Sequence, residues 1–246
     1  MRGVLARIWT GIFILSMAAA CGGGGTPGLD DGGVAGDPGG GVPGGGTPPD
    51  PPPSPLNIVT AAERTAYYST LLPTFSAVNM AATSGDVTPL GATVAMGSVT
   101  YEGYMQLIMG NASVSANVIG DAALQVSFDG GPVIGAADGF LGVTPDEAMV
   151  RQVVRYDGVI NISGGQVTAG ADSSADINFQ VDGTLNNGVN TFAVDGTLEG
   201  GFFGDEAEGL YAIGSYTGVH GSMDTTIDGV AGLGNIGIGT VSAVKP

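Results

Sequence analysis

From about residue 97 to the C-terminus, apolar and polar side chains alternate with a period of two, which predicts strands. In 98–108, Val99, Tyr101, Met105 and Leu107 share one face, with Ser98, Thr100, Glu102 and Gln106 opposite. Gly103 falls on the apolar face, where it marks a bend or a close contact. The same alternation places Leu124, Val126 and Phe128 together, then Val154, Tyr156, Ile160 and Ile162. It continues with Ile177, Phe179 and Val181, and with Phe192, Val194, Leu198 and Phe202. Tyr211 and Ile213 supply the apolar face of the next strand, and Ile236 and Ile238 that of the last. A run at 132–141 brings the total to about eight, and 166–169 is a further candidate. Asp-Gly pairs at 129–130, 157–158, 182–183, 195–196 and 228–229, and Asn-Asn-Gly at 186–188, supply the positive φ that hairpin turns need. Asp195-Gly196 interrupts an alternating run, so a β-bulge is expected there. No helix-length spacer separates the strands, which argues against βαβ units. The expected fold of 97–246 is all-β: an antiparallel up-and-down β-barrel of about eight strands.

Upstream the pattern changes three times. Residues 58–72 have helical spacing, with Val59, Arg64, Tyr67, Tyr68, Leu71 and Leu72 on one side. Thr60 and Glu63 have capping-box spacing and Pro73 stops the run. Three turns are too short to be stable alone, so this helix is expected to plug or lean on the barrel. Residues 73–96 read as a connecting loop, so the domain 58–96 is a short helix and its linker. Residues 21–57 form a disordered Gly/Pro-rich tether: 22–55 hold 14 Gly and 9 Pro and almost no apolar side chain. As a Gly-rich coil, 34 residues span about 30–35 Å end to end. Residues 1–20 read as a signal peptide, with Arg2 and Arg7, an apolar Ile8–Met17 and small residues at 18–20. The apolar run is too short to span a bilayer.

Cys21 is the sole cysteine, which rules out an internal disulfide. Ala18-Ala19-Ala20-Cys21 resembles a bacterial lipobox, which would make Cys21 a lipidation site and the mature N-terminus. Plain secretory cleavage with a free thiol is the alternative. Gly22, where aspartate would favour inner-membrane retention, points to an outer-membrane destination, with outer-membrane lipid as a partner through Cys21.

Charge narrows the partners. All 23 acidic residues and only four basic ones (Arg64, Arg151, Arg155, Lys245) follow Cys21, so the mature chain carries 4 − 23 = −19. Such a charge argues against nucleic acid and anionic headgroups and favours a basic partner or a bridging cation. Alternation alone does not say whether the apolar face points inward or outward. Aromatics at 7%, a Val244-Lys245-Pro246 ending and a tether on an anchored chain all favour a barrel filled by its own side chains.

Motifs for chemistry are few. Gly232–Gly237 matches G-x-G-x-x-G, but the chain ends nine residues later, leaving no room for the helix and acidic residue of a dinucleotide site. It reads as a Gly-rich turn into the last strand. His220, the sole histidine, is a candidate axial haem ligand, with Met223 or a tyrosine as its partner. Against this stands a plain loop histidine beside Gly221. Asp205, Glu206 and Glu208 are candidates for ligand or Ca²⁺ contact, against a solvated turn. No zinc set, nucleophile elbow or marked carboxylate pair is present, so no metal site, no catalytic residue and no enzyme are expected.

One stretch carries a family likeness. Gly201-Phe202-Phe203-Gly204-Asp205-Glu206-Ala207-Glu208-Gly209-Leu210-Tyr211 resembles the barrel motif of the transferrin-binding-protein-B-like surface lipoproteins. Val99-Thr100-Tyr101-Glu102-Gly103 and Leu124–Phe128 resemble strands of the same barrel. The family's proline and asparagine in the acidic loop are missing here. The resemblance covers about residues 97–218. It implies an eight-stranded lipoprotein barrel on the cell surface or periplasmic face that binds a protein or small-molecule ligand through its loops. The chain has room for one barrel and no full handle domain, which speaks against transferrin itself. The resemblance leaves haem or iron-compound carriage, and a structural or adhesive role, as alternatives.

Overall fold

The computed structural model describes residues 60, 62, 63, 66, 67, 69, 70, 76 and 78, and 86–246 apart from 146–150, 171, 232 and 233. The expected signal peptide, Cys21 and the expected tether lie outside the described residues. The described chain builds ten strands: β1 Ser98–Gly110, β2 Ser115–Ser127, β3 Val133–Pro145, β4 Arg151–Tyr156, β5 Ile160–Ala169, β6 Ala175–Asn186, β7 Thr191–Phe203, β8 Gly209–Ser215, β9 Ser222–Ile227 and β10 Ile236–Val244.

These ten strands make eight staves. β4 and β5 both pair with β3 and form one stave, broken at 157–159. β8 and β9 both pair with β7 and form another, from which 216–221 loop out. Consecutive staves pair antiparallel, and β1 closes the ring on β10 from Glu102↔Val244 to Gly110↔Ile236. The expected closed up-and-down barrel is therefore present.

The apolar face points into the lumen. Tyr101, Met105, Leu107, Met109, Leu124, Phe140, Phe179, Phe192 and Phe202 are all buried to within 1% exposure and belong to one continuous core. Tyr101 and Phe128 pack tilted against Phe202, with ring centroids 5.7 and 5.0 Å away. The lumen is thus a packed interior of the kind eight-stranded barrels can fill.

Two expected faces are reversed. Tyr211 and Ile213 lie on the outer side of β8, while Leu210, Ala212 and Gly214 point inward. Ile236 and Ile238 likewise face outward on β10, and Gly237, Gly239, Val241 and Ala243 face in. The reason is space. A Cβ on Gly239 would meet Met223 Cε at 2.3 Å and Leu107 Cδ2 at 3.2 Å, and one on Gly214 would lie 2.7 Å from Leu198 Cδ2. Large side chains from other staves fill this part of the lumen and leave room only for glycine.

The glycine signals sort differently from their sequence reading. Asp195-Gly196 carries no bulge: β6 and β7 pair without a shift from Asp176↔Gly201 to Asn186↔Thr191. Gly196 is needed because a Cβ there would sit 2.3 Å from Ser222 O of the neighbouring stave. Asp182-Gly183 also lies within a ladder, and Asp157-Gly158 lies in the break between β4 and β5. The register shifts fall at Ile119/Asp121 and Ser163/Gln166.

One barrel end is closed by the segment before β1. Thr88 N donates to Phe202 O and Ala175 N donates to Thr88 O, both near 2.9 Å (2.9 and 2.8 Å), while Leu90 N donates to Ser173 O. Leu90–Thr93 form a one-turn helix inside the stretch expected to be loop, and Leu90 and Met96 pack on the core. Upstream, the capping box forms: Glu63 N donates to Thr60 Oγ1 (3.1 Å) and Thr60 N to Glu63 Oε2 (2.8 Å). Residues 62, 63, 66, 67, 69 and 70 are helical. Buried Tyr67 contacts outward-facing Leu141 and Val153, so this helix leans on the outer wall. Val59, Arg64, Tyr68, Leu71 and Leu72 lie outside the described residues.

Wall closure sets a sharp test at Gly103, where a Cβ would lie 2.1 Å from Ser242 O across the β1–β10 seam. Gly103→Ala is expected to cost about 1–3 kcal/mol of unfolding free energy by urea denaturation. A loss below about 0.5 kcal/mol would mean that the seam is not this tight.

Candidate functional site

The acidic turn between β7 and β8 is a pinned corner. Asp205, Glu206 and Glu208 are exposed, but Ala207 between them is fully buried. Tyr101 donates from inside the core to Ala207 O (2.7 Å), and burial, with the nearby Glu208 charge, pushes its phenol pKa upward. Glu206 N donates to the Glu208 carboxylate (3.0 Å), and Lys245 N to Glu208 O (2.9 Å). Lys245 Nζ donates to Glu206 O. Thr88 Oγ1 donates to Gly204 O (2.6 Å), tying the corner to the end plug. Gly204 has φ +87°, and a Cβ there would strike the folded-back Glu208 carboxylate at 2.0 Å. The Glu208 carboxylate therefore serves the turn, while Asp205 and Glu206 stand exposed beside it. Among the described residues, no three His, Cys, Asp or Glu side chains are grouped to hold a metal ion.

His220 is exposed on the 216–221 loop, whereas Met223 is 1% exposed and points into the lumen. The two side chains lie on opposite sides of the wall and do not form a ligand pair. Tyr216, 55% exposed, shares the loop with His220.

The register creates acidic rows that alternation does not reveal. On the outer wall, Asp182 of β6 faces Asp195 of β7, which faces Asp224 of β9. Like charges directly opposite are destabilising. Asn161 Nδ2 softens one end by donating to Asp182 (3.3 Å). A recess of about 280 Å³ lies on this wall beside Gln180, Asp182, Asp195, Thr197 and Ser222. Half of the row was legible: the Asn186–Gly188 turn fixes a hairpin in which Asp182 and Asp195 must meet. The Asp224 contact needs β9, whose short run lacks a clear alternation.

A second pair, Asp121↔Asp138, joins β2 and β3, and Tyr104 of β1 faces Asp121 from the other side. Tyr67 of the leaning helix donates to Asp121 Oδ1. Burial, then the Asp138 charge, raises the Asp121 pKa to about 6. A second recess, about 230 Å³, opens where the ladder breaks near Asp138, Arg155 and Asp157–Val159.

At the barrel end away from the plug, Asp228 knits two turns together. Its carboxylate accepts from Thr191 N (2.8 Å) and Asn190 Nδ2 (2.8 Å), which together lower its pKa.

These features define a small closed antiparallel barrel with a filled lumen and an acidic outer wall. No protein-family model, no curated protein and no solved structure matches the chain.

The Asp121 shift has a definite sign. A carboxyl raised from 3.8 to about 6 holds its proton more tightly in the folded state, so stability falls as pH rises from about 4 to 6 and stays lowered above. Asp121→Asn keeps an acceptor for Tyr67 and removes the charge. It should raise the melting temperature at pH 7, and the gain over wild type should vanish by pH 4. An equal gain at both pH values would assign it to packing instead.

Proposed function

We propose that the protein is a lipid-anchored, non-enzymatic cell-envelope protein whose barrel binds a partner at its outer surface. The observation that carries this reading is the filled lumen: Tyr101, Phe140, Phe179, Phe192 and Phe202 occupy the space where a carrier barrel would hold its ligand. Binding then falls to the loops and wall. The apolar-in, polar-out wall supports a barrel held outside the bilayer, the reverse of a membrane-spanning one. The export-type N-terminus, Cys21 after three alanines and the Gly/Pro tether support attachment at a distance from the membrane. The likeness of 201–211 to transferrin-binding-protein-B-like barrels supports an outer-membrane setting, on the surface or periplasmic face.

The test is fractionation with lipid labelling in a Gram-negative host. Wild type should incorporate labelled palmitate and sediment with outer membranes, whereas Cys21→Ser should lose the label and become soluble. A Cys21→Ser protein still in the membrane fraction would sink the anchor. Protease shaving of intact cells then distinguishes the surface from the periplasmic face.

A further inference from the structure

The barrel end opposite the plug carries an unusual set of side chains. Nine large hydrophobics stand exposed among the described residues, and five of them lie in the β6/β7 turn, in the β9/β10 turn, at the first residue of β10 or on the 216–221 loop. Val189 (85% exposed) tops the β6/β7 turn, and Val230 (67%) tops the β9/β10 turn. Ile236 opens β10 just after the second turn, and Tyr216 and Val219 lie on the 216–221 loop, which extends the strip. Single exposed hydrophobics are ordinary, whereas a contiguous group points to contact with something else.

Hydrogen bonds make the strip one surface. Asp228 joins the β6/β7 and β9/β10 turns through Asn190 and Thr191. Asn187 Oδ1 accepts from Val189 N (3.0 Å) and Asn190 N (2.7 Å), which fixes the turn that presents Val189. Asn235 Nδ2 donates to Val230 O (3.0 Å) and Thr225 O (2.8 Å), fixing the other turn against β9. Tyr216 N donates to Gly237 O (2.8 Å), attaching the looped-out segment beside Ile236. Loops held this way lose little freedom on binding, which is the condition under which a small apolar contact yields affinity.

Charge selects the occupant. Asp228 lies within the strip, and its exposed carboxylate adds a negative charge there. Asp224, Asp195 and Asp182 run from β9 across the adjoining wall. An apolar strip bordered by carboxylates is complementary to apolar residues flanked by lysine or arginine, and it repels acidic proteins and anionic lipid. We infer that the Val189–Val230–Tyr216 strip is the docking surface for a cationic, apolar-centred protein segment. This rests on the surface-binding reading above and adds the place and the partner's chemistry.

The test uses the chain from Cys21 to Pro246 with ¹⁵N-labelled amides. The probes are two synthetic 14-residue peptides, one alternating valine with lysine and the other valine with glutamate. The lysine peptide should shift amides of 187–190, 216–221, 228–231 and 234–236, and binding should weaken as salt rises. The double variant Val189→Ser/Val230→Ser, altered only at highly exposed positions, should keep its melting temperature and lose at least tenfold in affinity. Asp224→Asn should lose affinity for the lysine peptide and change nothing for the glutamate peptide. Equal binding of both peptides, no binding at millimolar peptide, or matching shifts with uncharged phosphatidylcholine vesicles would overturn the inference. So would shifts confined to other parts of the wall, although those leave surface binding intact. Membrane retention of Cys21→Ser sinks the anchor without touching this result.

Discussion

A closed ring of eight staves encloses a lumen of nearly fixed width, and that lumen has to be filled. Every other feature of this barrel adjusts to that requirement. Phe140, Phe179, Phe192 and Phe202 supply bulk, and Met223, Leu107 and Leu198 on nearby strands fill the space before the inner faces of β8 and β10. Those two staves answer with Gly214, Gly237 and Gly239 on their inner faces. Bulk on one strand and glycine on its neighbours produce interior density. The closing ladder β1–β10 obeys a related rule, because Gly103 lets two backbones meet where a side chain would hold them apart.

The ends follow from the same economy of space. At one end, the segment 86–97 and the acidic corner 204–208 seal the core, with Tyr101 donating from the interior to Ala207 O. At the other end, short turns are tied by Asn187, Asn190, Asp228 and Asn235, and the tips carry valines instead of covering them. The interior therefore serves stability, and the exposed valines at this end stand outside the core. The helix around Tyr67 adds a separate layer, covering outward-facing Leu141 on the wall.

Much of the fold was readable in the sequence because a half-buried strand has a period of two. Tyr101, Leu124, Val126, Ile177, Phe179, Phe192 and Phe202 were assigned to the inner face and lie there. The capping box at Thr60 and Glu63 was readable because it depends on neighbours three residues apart. The candidate site was less legible. Asp205, Glu206 and Glu208 stood out by composition, yet the bonds that pin their turn come from distant residues: Lys245 to Glu206 O and Glu208 O, Thr88 to Gly204 O and Tyr101 to Ala207 O. The second half of the Asp182–Asp195–Asp224 row and the strip around Val230 depend on which staves are neighbours.

By itself the sequence determined the fold class, most of the inward faces, the turns at Asp129-Gly130, Asn186–Gly188 and Asp228-Gly229, and the strongly acidic charge, since each depends on local period or composition. Only the tertiary structure decided that β8 and β10 turn their glycines inward and Tyr211, Ile213, Ile236 and Ile238 outward. An alternating strand with glycine on one side and isoleucine on the other ordinarily buries the isoleucine. Here the space was already taken by side chains of neighbouring strands such as Leu107 and Met223, and excluded volume between residues that only strand pairing brings together outweighed local hydrophobic preference.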